Sequence, residues 1–314
     1  MTRVSVIIPC YNGSRFLAES IDSALAQTYP DKEVIVVDDG STDDSPGIMD
    51  GYGERIRVVR QANAGLPAAR NAGIRVASGE AFAFLDADDW WDPQFLQRMV
   101  DALEGSAAGI AYCGWRNVGL PSPRDRPYVP PDYEAMPDKL EKLVEGVGWP
   151  VHAALTRREV LFAAGLFNPQ LKSCEDFALW IRAATRNRLV LVPEVLAFYR
   201  FHGNQMTSNR GRIALSHYGV QKTFLAENPR FVELFGADRI RAMTSGELLK
   251  RGYIAYWDRD LPAARAIFRQ VMRDGYGRAN DWKYMLPSLL PLAWHRTLIQ
   301  LLERKPAANP PPPR

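Results

Sequence analysis

The chain has 314 residues, 46% hydrophobic and 24% charged, a globular composition that excludes disorder throughout. At about 100–200 residues per domain, the length predicts two domains or one with an extension. Cys10, Cys113 and Cys174 lack a CxxC spacing, which excludes a disulfide framework and a cysteine zinc site. The net charge of +3 hides an asymmetry: residues 1–210 carry 22 Lys and Arg against 27 Asp and Glu, and residues 211–314 carry 17 against 9. The basic part favours an anionic surface or partner. The opening MTRVSVIIPCYNG has too short an apolar run, interrupted by proline, to read as a signal peptide, so a cytoplasmic setting is expected.

In chain order, Val4–Pro9 reads as a buried strand, and Ser14 as the cap of a helix whose apolar positions Leu17, Ile21, Ala24 and Leu25 recur at helical spacing. Glu33–Val37, Ile56–Arg60 and Ala81–Leu85 are further strands, with helices near 43–52 and 66–77 between them. Continuous apolar strands separated by helices predict right-handed crossovers and a parallel sheet covered on both faces, an α/β class. The proline-rich stretch Gly119–Pro137 reads as a long loop. Trp149–Gly165 and Ser173–Thr185 read as helices, Val190–Val192 and Val195–Tyr199 as short strands, and everything from about 211 as helical. Within it, Gly246–Gly275 resembles one helix-turn-helix of the tetratricopeptide type, a packing module by itself. Met285–Leu302 is apolar but carries two prolines, His295 and Arg296. It is too interrupted to span a membrane, but with Trp282, Tyr284 and Trp294 it suits an anionic membrane interface through 282–302. The domains expected are 1–210, a helical module at 211–305, and a disordered tail at 306–314.

The residues directly after each predicted strand carry the functional signal. They are Tyr11-Asn12-Gly13, Asp38-Asp39-Gly40-Ser41, Asn63-Ala64-Gly65 and Asp86-Ala87-Asp88-Asp89. In an open parallel sheet the carboxyl ends of the strands share one edge, where ligands bind. Each turn alone is ordinary turn chemistry, but four in line, two of them doubly acidic, point to a site. Neither GxGxxG after the first strand nor GxxxxGK[ST] occurs, so no glycine loop cradles phosphate. The Asp86-x-Asp88 pair supplies the oxygen ligands of Mg²⁺ or Mn²⁺, with substrate phosphates completing the shell; a lone DxD would more often be a turn.

Val4–Gly13, the VVDDGSTD of Val36–Asp43, the NAGLPAARNAGI of Asn63–Ile74, the LDADD of Leu85–Asp89, Glu175-Asp176 and Tyr199-Arg200-x-His202 together resemble family-2 glycosyltransferases of the GT-A fold, over about residues 1–210. The resemblance implies a Rossmann-like, mostly parallel sheet flanked by helices, and an inverting, metal-dependent sugar transfer from a nucleotide-sugar donor. It implies donor contacts from Pro9, Tyr11 stacking on the base, Asp39 bonding it, Asn63 and Arg70 on the diphosphate side, and Asp86 on the ribose. It places the metal on Asp88 with His202 closing over it, and makes Asp176 the base toward the acceptor hydroxyl, with Glu175 and Arg200 as secondary candidates. For Asp176, a capping box from Ser173 is the alternative weighed.

Other residues are open to two readings. His152 suits an acceptor contact or a satisfied core histidine. Trp90, Trp91 and Trp115 suit a sugar platform or core packing. The QxxRW motif and multiple spans of processive synthases are missing, which points to single-sugar addition onto a glycan or lipid-linked acceptor. No feature points to nucleic acid. Two further readings were weighed. A sugar-nucleotide pyrophosphorylase is disfavoured by the first turn, which lacks a glycine- and arginine-rich loop. A catalytically silent nucleotide-sugar binder or assembly subunit at the membrane is disfavoured by the intact Asp39, Asp86, Asp88 and Asp176.

Overall fold

A computed structural model describes residues 2–120, 125–202 and 209–303. The chain divides into two compact units, Met1–Gln205 and Met206–Arg314, where the sequence suggested a boundary at 210. The predicted 306–314 tail lies outside the described residues.

The first unit is built on a nine-stranded mixed sheet. In chain order its strands are β1 (Val4–Cys10), β2 (Lys32–Asp38), β3 (Arg57–Arg60), β4 (Ala81–Phe84), β5 (Trp90–Trp91), β6 (Ile110–Val118), β7 (Pro127–Tyr128), β8 (Ala154–Arg157) and β9 (Leu189–Arg200). Their spatial order is β3-β2-β1-β4-β8-β6-β9-β5, with β7 also paired to β6. β1 to β4 are mutually parallel, and β6 pairs parallel with β9; β5, β7 and β8 run antiparallel to their partners. β1 and β4 are buried at every position, as strands covered on both faces must be. The helix Leu66–Val76 lies close on β1 because Gly73 has no side chain: a Cβ there would stand 2.6 Å from Ile7 Cγ2.

Several expectations are corrected. Trp149–Gly165 is not one helix; it is a 3₁₀ turn (Val151–Ala153), then β8, then a short helix (Arg158–Ala163). The short β8 is inserted between β4 and β6, and periodicity cannot separate so short a buried segment from helix. The two predicted strands at 190–199 are one strand, irregular where β6 shifts register at Cys113–Trp115. Ser14 does not cap the helix Leu17–Leu25, whose N-cap is Phe16. The 119–137 stretch contributes β7 and a 3₁₀ turn, Tyr133–Ala135. β6, absent from the sequence reading, is the strand that joins β8 to β9.

The second unit is helical throughout its described residues. The hairpin Glu247–Trp257 and Leu261–Arg273 closes through Gly252, where a Cβ would meet Phe268 at 2.7 Å. The apolar 285–302 stretch is broken by the turn Leu286–Leu289 ahead of the helix Leu292–Glu303, and among the described residues no helix is long and apolar enough to cross a membrane. Trp282 and Tyr284, expected at an interface, pack instead against this unit's core. Leu286, Leu289, Trp294 and Leu301 remain exposed.

Candidate active site

The turns after β1, β2 and β3 are tied together by short polar side chains. Asn12, at φ 52, accepts the Thr42 N–H at 2.7 Å through Oδ1 and donates its own N–H to Ser41 Oγ at 3.0 Å. Asp43 accepts the Ser14 N–H; burial works against its charge, yet hydrogen bonds from Ser45 and Ser14 hold it down at about 2. Asp39 accepts from Gln61 Nε2 (2.7 Å), Ala64 N (2.9 Å) and Gly65 N (2.8 Å). Of the roughly four lone-pair positions of a carboxylate, three are therefore filled by the protein itself. Tyr11 is 54% exposed and Asn63 is also exposed, while Pro9 is buried within β1.

After β4 the chemistry is denser. Arg70, one helical turn before Gly73, is fully buried over the Phe167 ring. Its Nη2 donates to Asp86 Oδ1 at 2.6 Å and its Nη1 to Glu175 Oε1 at 2.8 Å, while Nε has no partner. Both carboxylates raise the Arg70 pKa against the opposing effect of burial. The sequence reading placed Arg70 on the diphosphate side; in the structure one N–H of each Nη is given to an acidic residue.

Asp176 follows Glu175 at the start of the helix Glu175–Ala184. The N-cap is Cys174, in the left-handed region at φ 60, so the Ser173 capping box does not form. Burial first, and then the Glu175 charge, push the Asp176 carboxyl up to about 6, with Arg70 opposing. A carboxylate poised there is suited to accept a proton near neutral pH.

Asp88 Oδ2 and His202 Nε2 stand 2.9 Å apart. Burial and the neighbouring Asp86 raise the Asp88 pKa, against the His202 contact. Crowded carboxylates held in this way favour a cation. Among the described residues no group of three or more acidic, His or Cys side chains converges as a full ligand set. One carboxylate with an imidazole beside it is part of a ligand shell that a divalent cation would complete from phosphate and water oxygens.

Arg200 braces this turn. Its N–H donates to Asp89 Oδ1 (2.8 Å), its Nε to the Asp88 carbonyl (2.9 Å), and its Nη2 to Glu19 Oε2 (2.6 Å). Its guanidinium lies 4.5 Å from the Phe16 ring centroid and 4.4 Å from that of Trp90. Sequence reasoning missed Glu19, Phe16 and Asp89; the second aspartate of Asp88-Asp89 was the available signal. His152 is fully buried, and therefore not an exposed acceptor contact. Trp91 is core, stacked on Phe95, whereas Trp90 stacks on Phe198 and Trp115 meets the exposed Tyr128.

Comparison with known proteins accords with this geometry. The profile described as Glycosyl transferase family 2 matches residues 5–162, so Glu175, Asp176, Arg200 and His202 lie beyond the matched stretch. "Uncharacterized glycosyltransferase EpsJ" of Bacillus subtilis is 35% identical over 238 residues, 71% of this chain and 68% of that protein. "Uncharacterized glycosyltransferase alr2836" of Nostoc sp. is 34% identical over 307 residues, 92% of this chain and 94% of that protein. S. aureus TarS 1-349 in complex with UDP-GlcNAc aligns with a TM-score of 0.58 at 18% identity, covering 95% of this chain and 92% of that one. The mannosyltransferase PcManGT from Pyrobaculum calidifontis, in complex with GDP-Man and Mn²⁺, aligns at 0.59 and 21%, covering 96% and 84%. At such identities the two structures speak to the fold, and they show the GT-A type architecture that the motifs implied.

Proposed function

The chain belongs to glycosyl transferase family 2, and we propose that it moves a single sugar, with inversion, from a nucleoside-diphosphate sugar, most simply a UDP-sugar, to a hydroxyl of a glycan or lipid-linked acceptor in cell-surface polysaccharide or glycoconjugate assembly. The observation that carries this reading is the network Asp176–Glu175–Arg70–Asp86, in which a raised-pKa carboxylate follows directly on the ion pair that holds the DxD turn.

In the proposed reaction Asp176 accepts the proton of the acceptor hydroxyl as its oxygen attacks the anomeric carbon. The bond from that carbon to the diphosphate oxygen breaks on the opposite face, which inverts the centre. Tyr11 and Asp39 face the base, Asn63 stands on the diphosphate side, and Asp86 takes the ribose. Arg70 orients Asp86 and Glu175. Asp88 and His202 would hold a divalent cation, Mg²⁺ or Mn²⁺, which when bound supplies positive charge for the leaving diphosphate. The basic charge of 211–314 and the exposed Leu286, Leu289 and Trp294 support peripheral contact with an anionic membrane, where a lipid-linked acceptor would reside.

The test is a thermal-shift titration of wild type and Asp88→Ala with UDP, GDP, CDP and dTDP, each with and without Mn²⁺. A nucleotide that binds only the folded chain stabilises it by about 2.7 kcal/mol at 100 Kd. The reading expects one nucleotide to give a Mn²⁺-dependent shift that Asp88→Ala abolishes. No shift with any nucleotide would overturn the donor assignment.

A further inference from the structure

Behind the Asp86–Asp89 turn lies a buried polar layer to which the proposed reaction gives no role. His152, in the 3₁₀ turn before β8, has its Nδ1 3.2 Å from Asp89 Oδ2, with both side chains fully buried. Neither atom forms a hydrogen bond within the protein, and Nε2 of the same ring is also without a partner, so this close approach is the ring's nearest polar contact. The imidazole stacks on Tyr199 with centroids 5.5 Å apart and planes 8° apart, and the His152 backbone carbonyl accepts the Trp91 indole N–H at 2.7 Å, which fixes the main chain there. A buried polar atom without a partner costs about 1–3 kcal/mol, and a phenyl ring would stack on Tyr199 without that cost. The approach of Nδ1 to Asp89 Oδ2 is what an imidazole at 152 offers that a phenyl ring would not.

Asp89 in turn controls both sides of the cation site. Its backbone continues directly from Asp88. Its Oδ1 holds the N–H of Arg200 at the end of β9, two residues before His202, and the Arg200 Nε bonds the Asp88 carbonyl at 2.9 Å. A shift of the Asp89 carboxylate moves Asp88 through the chain and His202 through Arg200.

We propose that His152 is a positioning residue that, through Asp89 and Arg200, sets the separation of Asp88 and His202 for a divalent cation. This rests on the reading of Asp88 as the cation ligand. Groups that orient metal ligands from behind typically change metal affinity about 10–100-fold when removed.

The test is Mn²⁺ binding, read as loss of the free-ion electron paramagnetic resonance signal, with saturating UDP or GDP. It compares wild type, His152→Phe and His152→Asn, with folding followed by circular dichroism. His152→Phe keeps a ring and loses the nitrogens, while the amide of His152→Asn restores a donor near Nδ1. The expectation is about 10–100-fold weaker Mn²⁺ binding for H152F and near-wild-type binding for H152N. A folded H152F that binds Mn²⁺ like wild type overturns the proposal, as does an H152N that loses as much as H152F, since packing would then explain both. Should H152F fail to fold, His152→Leu is read by the same criteria. Wild type that takes up no Mn²⁺ with either nucleotide overturns the reading of Asp88 and this proposal with it, an outcome distinct from an H152F that matches a binding-competent wild type.

Discussion

Replacing Arg70 by methionine removes a guanidinium that bonds Glu175 at 2.8 Å and Asp86 at 2.6 Å. The Glu175 side chain is 9% exposed and that of Asp86 is 23% exposed, so water can reach Asp86 but hardly Glu175. Removing one partner of a buried ion pair costs about 3–5 kcal/mol because a charge is left uncompensated. Most of that loss should therefore arise at Glu175, and Arg70→Met with Glu175→Gln should recover about 1–3 kcal/mol, the penalty for one buried group without its partner. The two units need not unfold together, so the assay is urea-dependent hydrogen exchange on peptides from β1 and the helix Leu66–Val76. A double variant no more stable than Arg70→Met, or an Arg70→Met as stable as wild type, would refute the view that Arg70 serves these two carboxylates.

Three further expectations follow from particular contacts. Asp176→Asn should lower turnover by about 10²–10⁴-fold while leaving nucleotide binding intact, measured as product release and thermal shift. Because the Asp176 carboxyl is raised to about 6, it is protonated and idle at pH 5 and ionised above 7. Wild-type kcat should therefore rise through pH 6, and the residual rate of Asp176→Asn should lack that limb. Gly73→Ala places a methyl 2.6 Å from Ile7 Cγ2 and should cost about 1–3 kcal/mol by overpacking, whereas Gly47→Ala, with nothing within 4 Å, should gain about 0.4–1 kcal/mol; urea midpoints decide both. Leu289→Glu with Trp294→Glu should abolish co-sedimentation with anionic phospholipid vesicles, which 0.5 M salt should also weaken; a wild type left in the supernatant at low salt would remove the case for membrane contact.

The first four strands were legible because each carries a β-branched or aromatic apolar segment soon followed by turn residues, and the parallel βαβ logic then put their turns on one edge. β8 and β6 were not. Ala154–Arg157 is only four residues long and ends in Thr156 and Arg157, and Ile110–Val118 carries Gly114 at a register shift. The motif residues could be named from sequence, but the partners of their side chains could not. Arg70 meets Glu175 across 105 residues, and Asp89 meets His152 only because β8 enters the sheet beside β4. Long-range pairings of this kind leave no local periodicity to read. That is why the two carboxylates bonded by Arg70, and the Asp89 beside His152, could not be foreseen from the sequence.

The insertion of β8 between β4 and β6 also has a temporal side. During synthesis β4 emerges first and β6 next, but the strand that separates them follows about 70 residues after β4. At about 5–20 residues per second, that leaves the hydrogen-bonding edge of a wholly apolar strand unoccupied for about 4–14 s. In that interval β6 is the nearest available edge, and any pairing it makes with β4 must come apart before Ala154–Arg157 can enter. The nascent chain is thus most exposed to mispairing and aggregation while residues 85–157 are leaving the ribosome, and the candidate site cannot be completed until Glu175, Asp176 and His202 have followed.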